Sequence, residues 1–408
     1  MPRAELLPHL FRTEFRKIVS VLGRRLGLDH LQAAEDIASD TFLLAYESWP
    51  YQGLPENPTA WLYAVAQNKA KNYLRRQQLF NQKMAPHLAQ STPEAQEPEL
   101  DLSEKNIRDS QLRMLFALCH PSLPAEAQVG LALRILCGFG IEEIADAFLT
   151  HKETINKRLY RAREKLRQQH FTPEVPSETE MSQRLASVLT TLYLLFSEGY
   201  YSESHNLVLR EDLCLEAMRL TYLLIEHEPT NRPPVQALLA LMCFHASRFA
   251  ARKNGIGDLI LYQDQDETRW NQELIAKGTY YLHQAARGST LSKYHLEATI
   301  AYWHTIKVDT PEKWEAILQL YNQLLILEYS PVAALNRTFA LAKVHGNEKA
   351  IPEAEKLHLI DNQYYYVLLG ELYQKMDVEQ SRRYFQKALA LAKTPHDQHT
   401  IKHRLAAL

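Results

Sequence analysis

Cysteine is scarce in this 408-residue chain, and no two cysteines pair. Cys119, Cys137, Cys214 and Cys243 stand alone, with neither disulfide-framework nor metal-ligand spacing. That excludes a disulfide scaffold and a zinc module, and it fits reduced thiols in the cytoplasm. Long apolar runs are missing as well: the longest, 235–244, is interrupted by Gln236 and falls short of the roughly 18–20 residues that cross a bilayer. Arg12, Glu14, Arg16 and Lys17 break up any secretory core near the start, so neither export nor a membrane partner is expected. Glycine is sparse too, at 13 residues, beside 46% hydrophobic and 23% charged residues, which points to a helix-rich globular protein of two to four domains. Net charge is also lacking: a formal −2 excludes a uniformly basic protein, so any surface for a polyanion must be local.

Such a surface lies at 138–167. Ile141, Ile144, Ala145 and Phe148 recur at i, i+3, i+4 and i+7, three residues interrupt, and a second stripe follows at Ile155, Leu159, Ala162 and Leu166. Two short amphipathic helices so joined form a helix-turn-helix. From Lys152 to Arg167, seven Lys/Arg face two acids, a net of +5. Lys152, Glu153, Asn156, Lys157, Arg158, Tyr160 and Arg161 are placed to enter a major groove, while Arg163 and Arg167 are expected to grip phosphate. The plainer reading of the segment is a solvated, charge-rich helix. Thr150 is a candidate N-cap for the second helix.

Charge is also segregated upstream. Between Leu26 and Asn68 there is no Lys or Arg, while Asp29, Glu35, Asp36, Asp40, Glu47 and Glu56 give −6. From Asn57 to Pro93 there is no acid, and Lys69, Lys71, Arg75, Arg76 and Lys83 give +5. Adjacent helices of opposite sign imply two partners, or one partner with two faces. Trp61, Tyr63, Asn68, Asn72 and Tyr73 accompany the cations, a mixture suited to single-stranded nucleic acid, where a stacked base contributes about 1–3 kcal/mol. Core packing is the stronger reading for Trp61, Leu62 and Val65, and the choice is even for Tyr73.

These residues carry a resemblance. AEDIASDTFLLAYESW (34–49), NPTAWLYAVAQNKAKNYLRRQ (57–77) and the helix-turn-helix after SLPAEAQVGLALR (122–134) resemble, in order and spacing, an extracytoplasmic-function (ECF) sigma factor of bacterial RNA polymerase. The resemblance covers about residues 8–170. It implies that Asp36, Asp40, Thr41 and Phe42 dock on core polymerase and that the loop 51–58 captures an unstacked base. It further implies that Trp61, Asn68, Lys69, Asn72, Tyr73, Arg75 and Arg76 hold the melted minus-ten strand. Lys152, Glu153, Asn156, Lys157, Arg158 and Arg161 would read the minus-thirty-five duplex. The partners implied are core RNA polymerase and promoter DNA, with no cofactor and no metal.

The fold class expected is all-α. It comprises a polymerase- and minus-ten-binding module over 1–85, an acidic linker over 86–110 and the helix-turn-helix module over 111–170. A second linker follows over 171–181, then a helical, tetratricopeptide-like domain over 182–408. The clearest repeat is 366–391, with Tyr366, Leu369, Gly370, Tyr373, Phe385 and Ala388 near the template positions; 332–357 offers a second. Such pairs cannot bury their apolar faces alone and are expected to stack. The chain so resembles the subgroup of these factors with a tetratricopeptide-like extension, which implies built-in regulation through a regulatory protein or a ligand. The aromatics within 192–210 are candidates for contact with the sigma modules, although packing within the first helical pair is the stronger reading. No enzyme is expected: Glu142 and Glu143 point about 100° apart on a helix and form no catalytic pair. The rival reading is a ligand-sensing helix-turn-helix regulator, which leaves the paired acidic and cationic helices unexplained.

Overall fold

The structure, a computed structural model, describes residues 3–84, 101–148, 150–168, 174–201, 207–252, 260, 262–392 and 395–408, and every regular element among them is helical. It divides into two compact units, 1–224 and 225–408.

In the first unit, α1 (Arg3–Leu26), α2 (Leu31–Gln52) and α3 (Pro58–Met84) pack on one another. Phe15, Ile18, Val19 and Leu22 of α1 are buried with Leu31, Phe42 and Leu62. Phe11, Phe15 and Phe42 form an aromatic cluster with centroids 4.8–6.3 Å apart. Next come α4 (Glu104–Leu118) and α5 (Ala125–Leu131), the latter continuing through a π-helical stretch, Ala132–Cys137. Gly138, at φ 78°, ends that stretch in the left-handed conformation that glycine adopts without strain. Then follow α6 (Ile141–Ala147) and α7 (Lys152–Gln168).

The expected linker 86–110 runs too far, because α4 begins at Glu104. Ser103 caps it, its hydroxyl accepting from Asn106 N, and Ile107, Leu112, Met114 and Leu115 are buried. The expected domain break at 171–181 also lies elsewhere. Both α8 (Glu178–Tyr201) and nearly all of α9 (Leu207–Glu226) belong to the first unit, where their polar side chains bond to α4, α5 and α1.

In the second unit, α10 (Pro233–Ala246) carries the longest apolar run of the sequence and is buried nearly all round, from Val235 to Ala246. α11 (Gln272–Ala285) and α12 (Lys293–Trp303) pack against it, and a Cβ on Gly278 of α11 would stand 2.7 Å from Phe244. From there each helix packs on its successor through α13 (Pro311–Leu327), α14 (Pro331–His345), α15 (Asn347–Glu355), α16 (Gln363–Tyr373), α17 (Val378–Leu391) and α18 (Pro395–Ala406). Ser/Thr caps followed by proline start α13 and α14, while Asn362 and Asp377 cap α16 and α17. Consecutive pairs share cores: Leu335, Ala350 and Ala354 of α14–α15 are buried with Tyr365, Leu369 and Leu372 of α16. A Cβ on Gly370 would sit 2.8 Å from Phe385, so only glycine lets α16 and α17 approach this closely. No described helix is long and apolar enough to cross a membrane.

Candidate nucleic-acid interface

Three surfaces of the first unit carry the residues singled out from the sequence. On α2, Asp36 and Asp40 are exposed, alongside Leu43, Leu44, Tyr46 and Glu47. Thr41 and Phe42 are not on that surface. Helical spacing turns them inward: Thr41 donates to Ile37 O at 2.7 Å, and Phe42 lies in the aromatic cluster. They position the helix and have no surface to offer a partner. The face left outside is acidic with an apolar edge.

The expected loop 51–58 is shorter than anticipated. α2 continues through Gln52 and is stopped by Gly53 at φ 86°, while Asn57 caps α3 by accepting from Ala60 N. Tyr51, on the last turn, is 91% exposed.

On α3, Asn68, Asn72, Arg75 and Arg76 are exposed and recur at helical spacing, so they form one polar, cationic face. Lys69 is half-buried and pairs with Asp40 at 3.4 Å, tying this face to the acidic one. Tyr73 lies under the face: its hydroxyl meets His30 Nδ1 at 3.0 Å, while Gln77 reaches the other imidazole nitrogen at 2.9 Å. Trp61 is half-buried and packs edge-on against Trp49, with centroids 5.4 Å apart. Both rings therefore hold helices together, and neither lies open for base stacking in this conformation. The Tyr63 hydroxyl donates to Glu14 at 2.5 Å, and burial beside that carboxylate pushes its pKa well up.

On α7 the apolar stripe is buried as its spacing requires: Ile155, Leu159, Ala162 and Leu166 are each 4% exposed or less. The opposite side shows Lys152, Glu153, Asn156, Lys157, Tyr160 and Arg161. His151 O accepts the first backbone bonds of α7, from Thr154 and Ile155, so the helix starts one residue beyond the anticipated Thr150 cap. Not every cation of α7 is exposed. Arg158 lies over the Phe148 ring at 5.9 Å, Lys165 donates to Ser122 O, and Arg163 is held by Glu35.

No local pattern in the sequence marks that last contact. Glu35 of α2 has a side chain only 3% exposed, and it receives Arg134 at 2.8 Å and Arg163 at 2.6 Å. Arg163 also donates to Gln32 Oε1 at 2.8 Å. The two charge-bearing modules are thus joined by one buried carboxylate and two arginines. The expectation that Arg163 grips phosphate does not hold in this conformation, because its guanidinium already has a carboxylate partner.

The helices beyond the second module reinforce the junction. Arg184 of α8 donates to Phe116 O at 2.9 Å, while Ser187 and Thr191 donate to the buried Gln128 Oε1 at 3.1 and 2.7 Å. From α9, Asp212 and Glu216 pair with Arg12 and Arg16 of α1, and Arg219 donates to Leu136 O at 2.8 Å. Of the aromatics in 192–210, Phe196 and Tyr200 stack on each other inside, 5.9 Å apart, in line with packing within the first helical pair as the stronger reading, and polar residues fasten α8 and α9 to the modules. The side chains of 201–210 lie outside the described residues.

Residues 10–80 match the family model of Sigma-70 region 2, residues 113–166 that of Sigma-70 region 4, and residues 184–286 a family of unknown function, DUF6596. Over 370 residues, 89% of this chain and 87% of the relative, the sequence is 34% identical to an uncharacterized protein of Rhizobium meliloti strain 1021. It is 30% identical to the ECF RNA polymerase sigma-E factor of Haemophilus influenzae, over 36% of this chain and 78% of that protein. It is 28% identical to the RNA polymerase sigma factor YlaC of Bacillus subtilis, over 41% of this chain and 93% of that protein. No solved structure matches.

Proposed function

Since this chain belongs to the sigma-70 family of RNA polymerase sigma factors, ECF members among its relatives, we propose that it directs the bacterial enzyme to a specific set of promoters in the cytoplasm and opens them. The observation that carries this reading is the adjacency of two surfaces of opposite charge, linked at Asp40–Lys69, in a chain that also displays a groove-sized cationic helix. The acidic, apolar-edged face of α2, with Asp36, Asp40, Leu43 and Leu44, is the docking surface for core polymerase. The neighbouring face of α3, with Asn68, Lys69, Asn72, Arg75 and Arg76, holds the strand freed at the minus-ten element. Trp61 and Tyr73 support that face from beneath. Unstacking a base costs a few kcal/mol, which backbone cations and a base pocket offset. Tyr51, exposed on the last turn of α2, meets the extruded base. Asn156, Lys157 and Arg161, with Lys152, Glu153 and Arg158 around them, read the minus-thirty-five duplex in its major groove. All of this is binding and strand separation, and none of it calls for covalent chemistry by the protein.

Helices α10–α18 are, on this reading, a tetratricopeptide-like array that receives a regulatory protein or a ligand. The shared core of α14–α15 with α16 and the close Gly370–Phe385 packing support that reading.

Transcription in vitro with core polymerase on a promoter library tests the whole. Wild-type protein should select a two-part consensus. Asn156→Ala with Lys157→Ala should relax choice in the upstream part alone, and Asp36→Lys with Asp40→Lys should abolish co-elution with polymerase. Unselective transcription by the wild type would sink the reading.

A further inference from the structure

We propose that the second unit binds a small hydroxycarboxylate around Tyr262, held by Lys313, Trp270 and Gln265. The inference rests on reading α10–α18 as a regulatory array and deepens it, by naming the place and the class of ligand. Its first support is charge. Lys313, the third residue of α13, is 1% exposed, and a lysine so buried is rarely found without an acid against it. Among the described residues no carboxylate pairs with it. Asp309, the acid whose field reaches it, is taken by Lys343 at 3.2 Å and by the Trp314 indole. Lys313 Nζ instead meets two neutral oxygens, Ile306 O at 2.6 Å and the Tyr262 hydroxyl at 3.4 Å. It also stands 5.6 and 5.8 Å from the Tyr262 and Trp314 ring centroids. Ring faces ease a cation without neutralising it, and an ammonium has three N–H donors, so one is left for a further acceptor. Arg248 lies over the same Tyr262 ring at 5.5 Å, so two cations share it.

The second support is a pair of buried polar atoms. Trp270 and Gln265 are each 4% exposed, and neither the Trp270 indole N–H nor Gln265 Oε1 has a hydrogen-bond partner. The other end of the Gln265 amide fixes its orientation, since Nε2 donates to Ile260 O at 3.1 Å. Both residues lie against Tyr262. Trp270 stacks on its ring with centroids 6.2 Å apart, and Gln265 N donates to Tyr262 O at 3.3 Å. A buried polar group left unbonded is costly and calls for a partner from outside the chain. Together the groups specify that partner. The ammonium and the indole N–H ask for an anionic acceptor, while Gln265 Oε1 asks for a donor on the same molecule. A carboxylate with a neighbouring hydroxyl meets all three, whereas an amino group in place of the hydroxyl would bring a third cation to Lys313 and Arg248. The rings of Tyr262, Trp270, His304 and Trp314 form the walls. Burial sets the size, because groups this enclosed admit a molecule of a few atoms and no protein segment. The site joins Tyr262, Gln265 and Trp270, within the 184–286 family match, to Lys313 of the helical array.

Thermal unfolding and nuclear magnetic resonance of the full-length chain test the site, with glycolate and lactate as probes. Acetate serves as the carboxylate without a donor, glycine as the charged-amine analogue and glycolamide as the uncharged one. Glycolate or lactate should raise the unfolding midpoint saturably, acetate and glycine several-fold more weakly, and glycolamide not at all. With the tryptophan side chains isotopically labelled, the chain has five indole N–H signals. The one that disappears in Trp270→Phe should move downfield in wild type as glycolate binds. Trp270→Phe, which keeps a ring and loses the N–H, should bind glycolate several-fold more weakly. Lys313→Met, similar in length and uncharged, should abolish the response. No movement of either the midpoint or the Trp270 signal with any probe overturns the proposal and leaves the buried groups hydrated only. A response of Lys313→Met equal to that of wild type overturns it as well. Should Lys313→Met fail to fold, the titration of Trp270→Phe decides, and a midpoint response equal to wild type overturns the site. Bound glycolate should also change transcription in vitro from the promoter that wild type selects, and should leave that of Lys313→Met unchanged. Binding with unaltered transcription would uphold the site and overturn the regulatory reading of the array, so the two failures are distinguishable.

Discussion

The two units use charge in different ways. In the first, ion pairs and charged hydrogen bonds bridge elements 82–200 residues apart, as in Arg134–Glu35, Arg24–Asn106 and Arg16–Glu216. In the second, the described side-chain bonds reach at most 51 residues, from Lys313 to Tyr262, and many cations lie over neighbouring rings instead. Lys343 sits 5.3 Å from the Trp314 centroid and Lys387 lies over Tyr366 and Tyr384. A fold made of local pairs is held by packing between successive helices, and no single charge governs its arrangement. A fold made of modules joined by a few distant charges has discrete points at which it can part. That difference fits the proposed roles, a stacked docking array in the one and a two-module clamp in the other.

The comparison breaks first in a buried core of the second unit. Phe385→Ala in α17 removes a ring that is 1% exposed and packed against Gly370, Ala388 and Ile401, and should cost about 3–5 kcal/mol. Hydrogen exchange should show the loss of protection concentrated in α16–α18, with α10–α12 little affected. Loss spread evenly through α10–α18 would contradict a stack of local pairs. In the first unit the corresponding probe is Arg16→Leu, which takes away the inter-helix partner of Glu216 at a partly buried junction and leaves it Arg219 of its own helix. An unfolding free energy lower by about 2–3 kcal/mol is expected, with Arg16→Lys recovering part of it. Equal stability of Arg16→Leu and wild type in urea titration would show that the distant charges do not hold this unit.

How much of this was legible follows from the range of each interaction. The stripe Ile155, Leu159, Ala162 and Leu166 was readable because helical periodicity is local, and all four are buried. The run 235–244 was visible as apolar, and in α10 it is buried nearly all round, with α11 and α12 packed on it. Glu35 looked like one acid among six, since its partners lie in another module and no local pattern marks them. Thr41 and Phe42 were grouped with Asp36 and Asp40 by motif, although a helix turns them to the opposite side. The start of α4 was hidden by composition: its Ser103 cap stands in a stretch whose prolines and acids read as tether. Arg184, Ser187 and Thr191, which fasten α8, are ordinary polar residues by sequence, and no local pattern marks them as contacts.

A pH titration sharpens the comparison at the next level. His304 of the second unit meets the rings of Tyr262 and Trp314, and burial, with Arg248 and Lys313 opposing its protonation, pushes its pKa down to about 3; Asp309 pulls weakly the other way. His245 is lowered for the same first reason, with Arg248, Arg252 and His304 facing it. In the unfolded chain both titrate near 6.5, so the unfolded state takes up protons first. The stability they contribute is fully present above about pH 6.5 and falls as pH drops towards 3. Urea midpoints between pH 7 and 5 should decline, and His304→Phe should flatten the slope by up to about 1.4 kcal/mol per pH unit. An unchanged slope would place the acid sensitivity elsewhere.

The smallest effect is expected where a distant charge pair lies in water. Arg12 reaches Asp212 at 2.9 Å and approaches Glu143 at 3.8 Å, yet its side chain is 62% exposed. Its geometry resembles that of the Arg16–Glu216 pair one helical turn along, but solvent screens it, and an exposed pair contributes about 0–1 kcal/mol. Arg12→Ala should therefore lower stability by less than about 1 kcal/mol, and the loss should vanish in high salt, whereas that of Arg16→Leu should persist. Should Arg12→Ala cost as much as Arg16→Leu, burial would not be what ranks these contacts. The first unit would then be held by its net electrostatic field, and the single buried pairs would lose their special place.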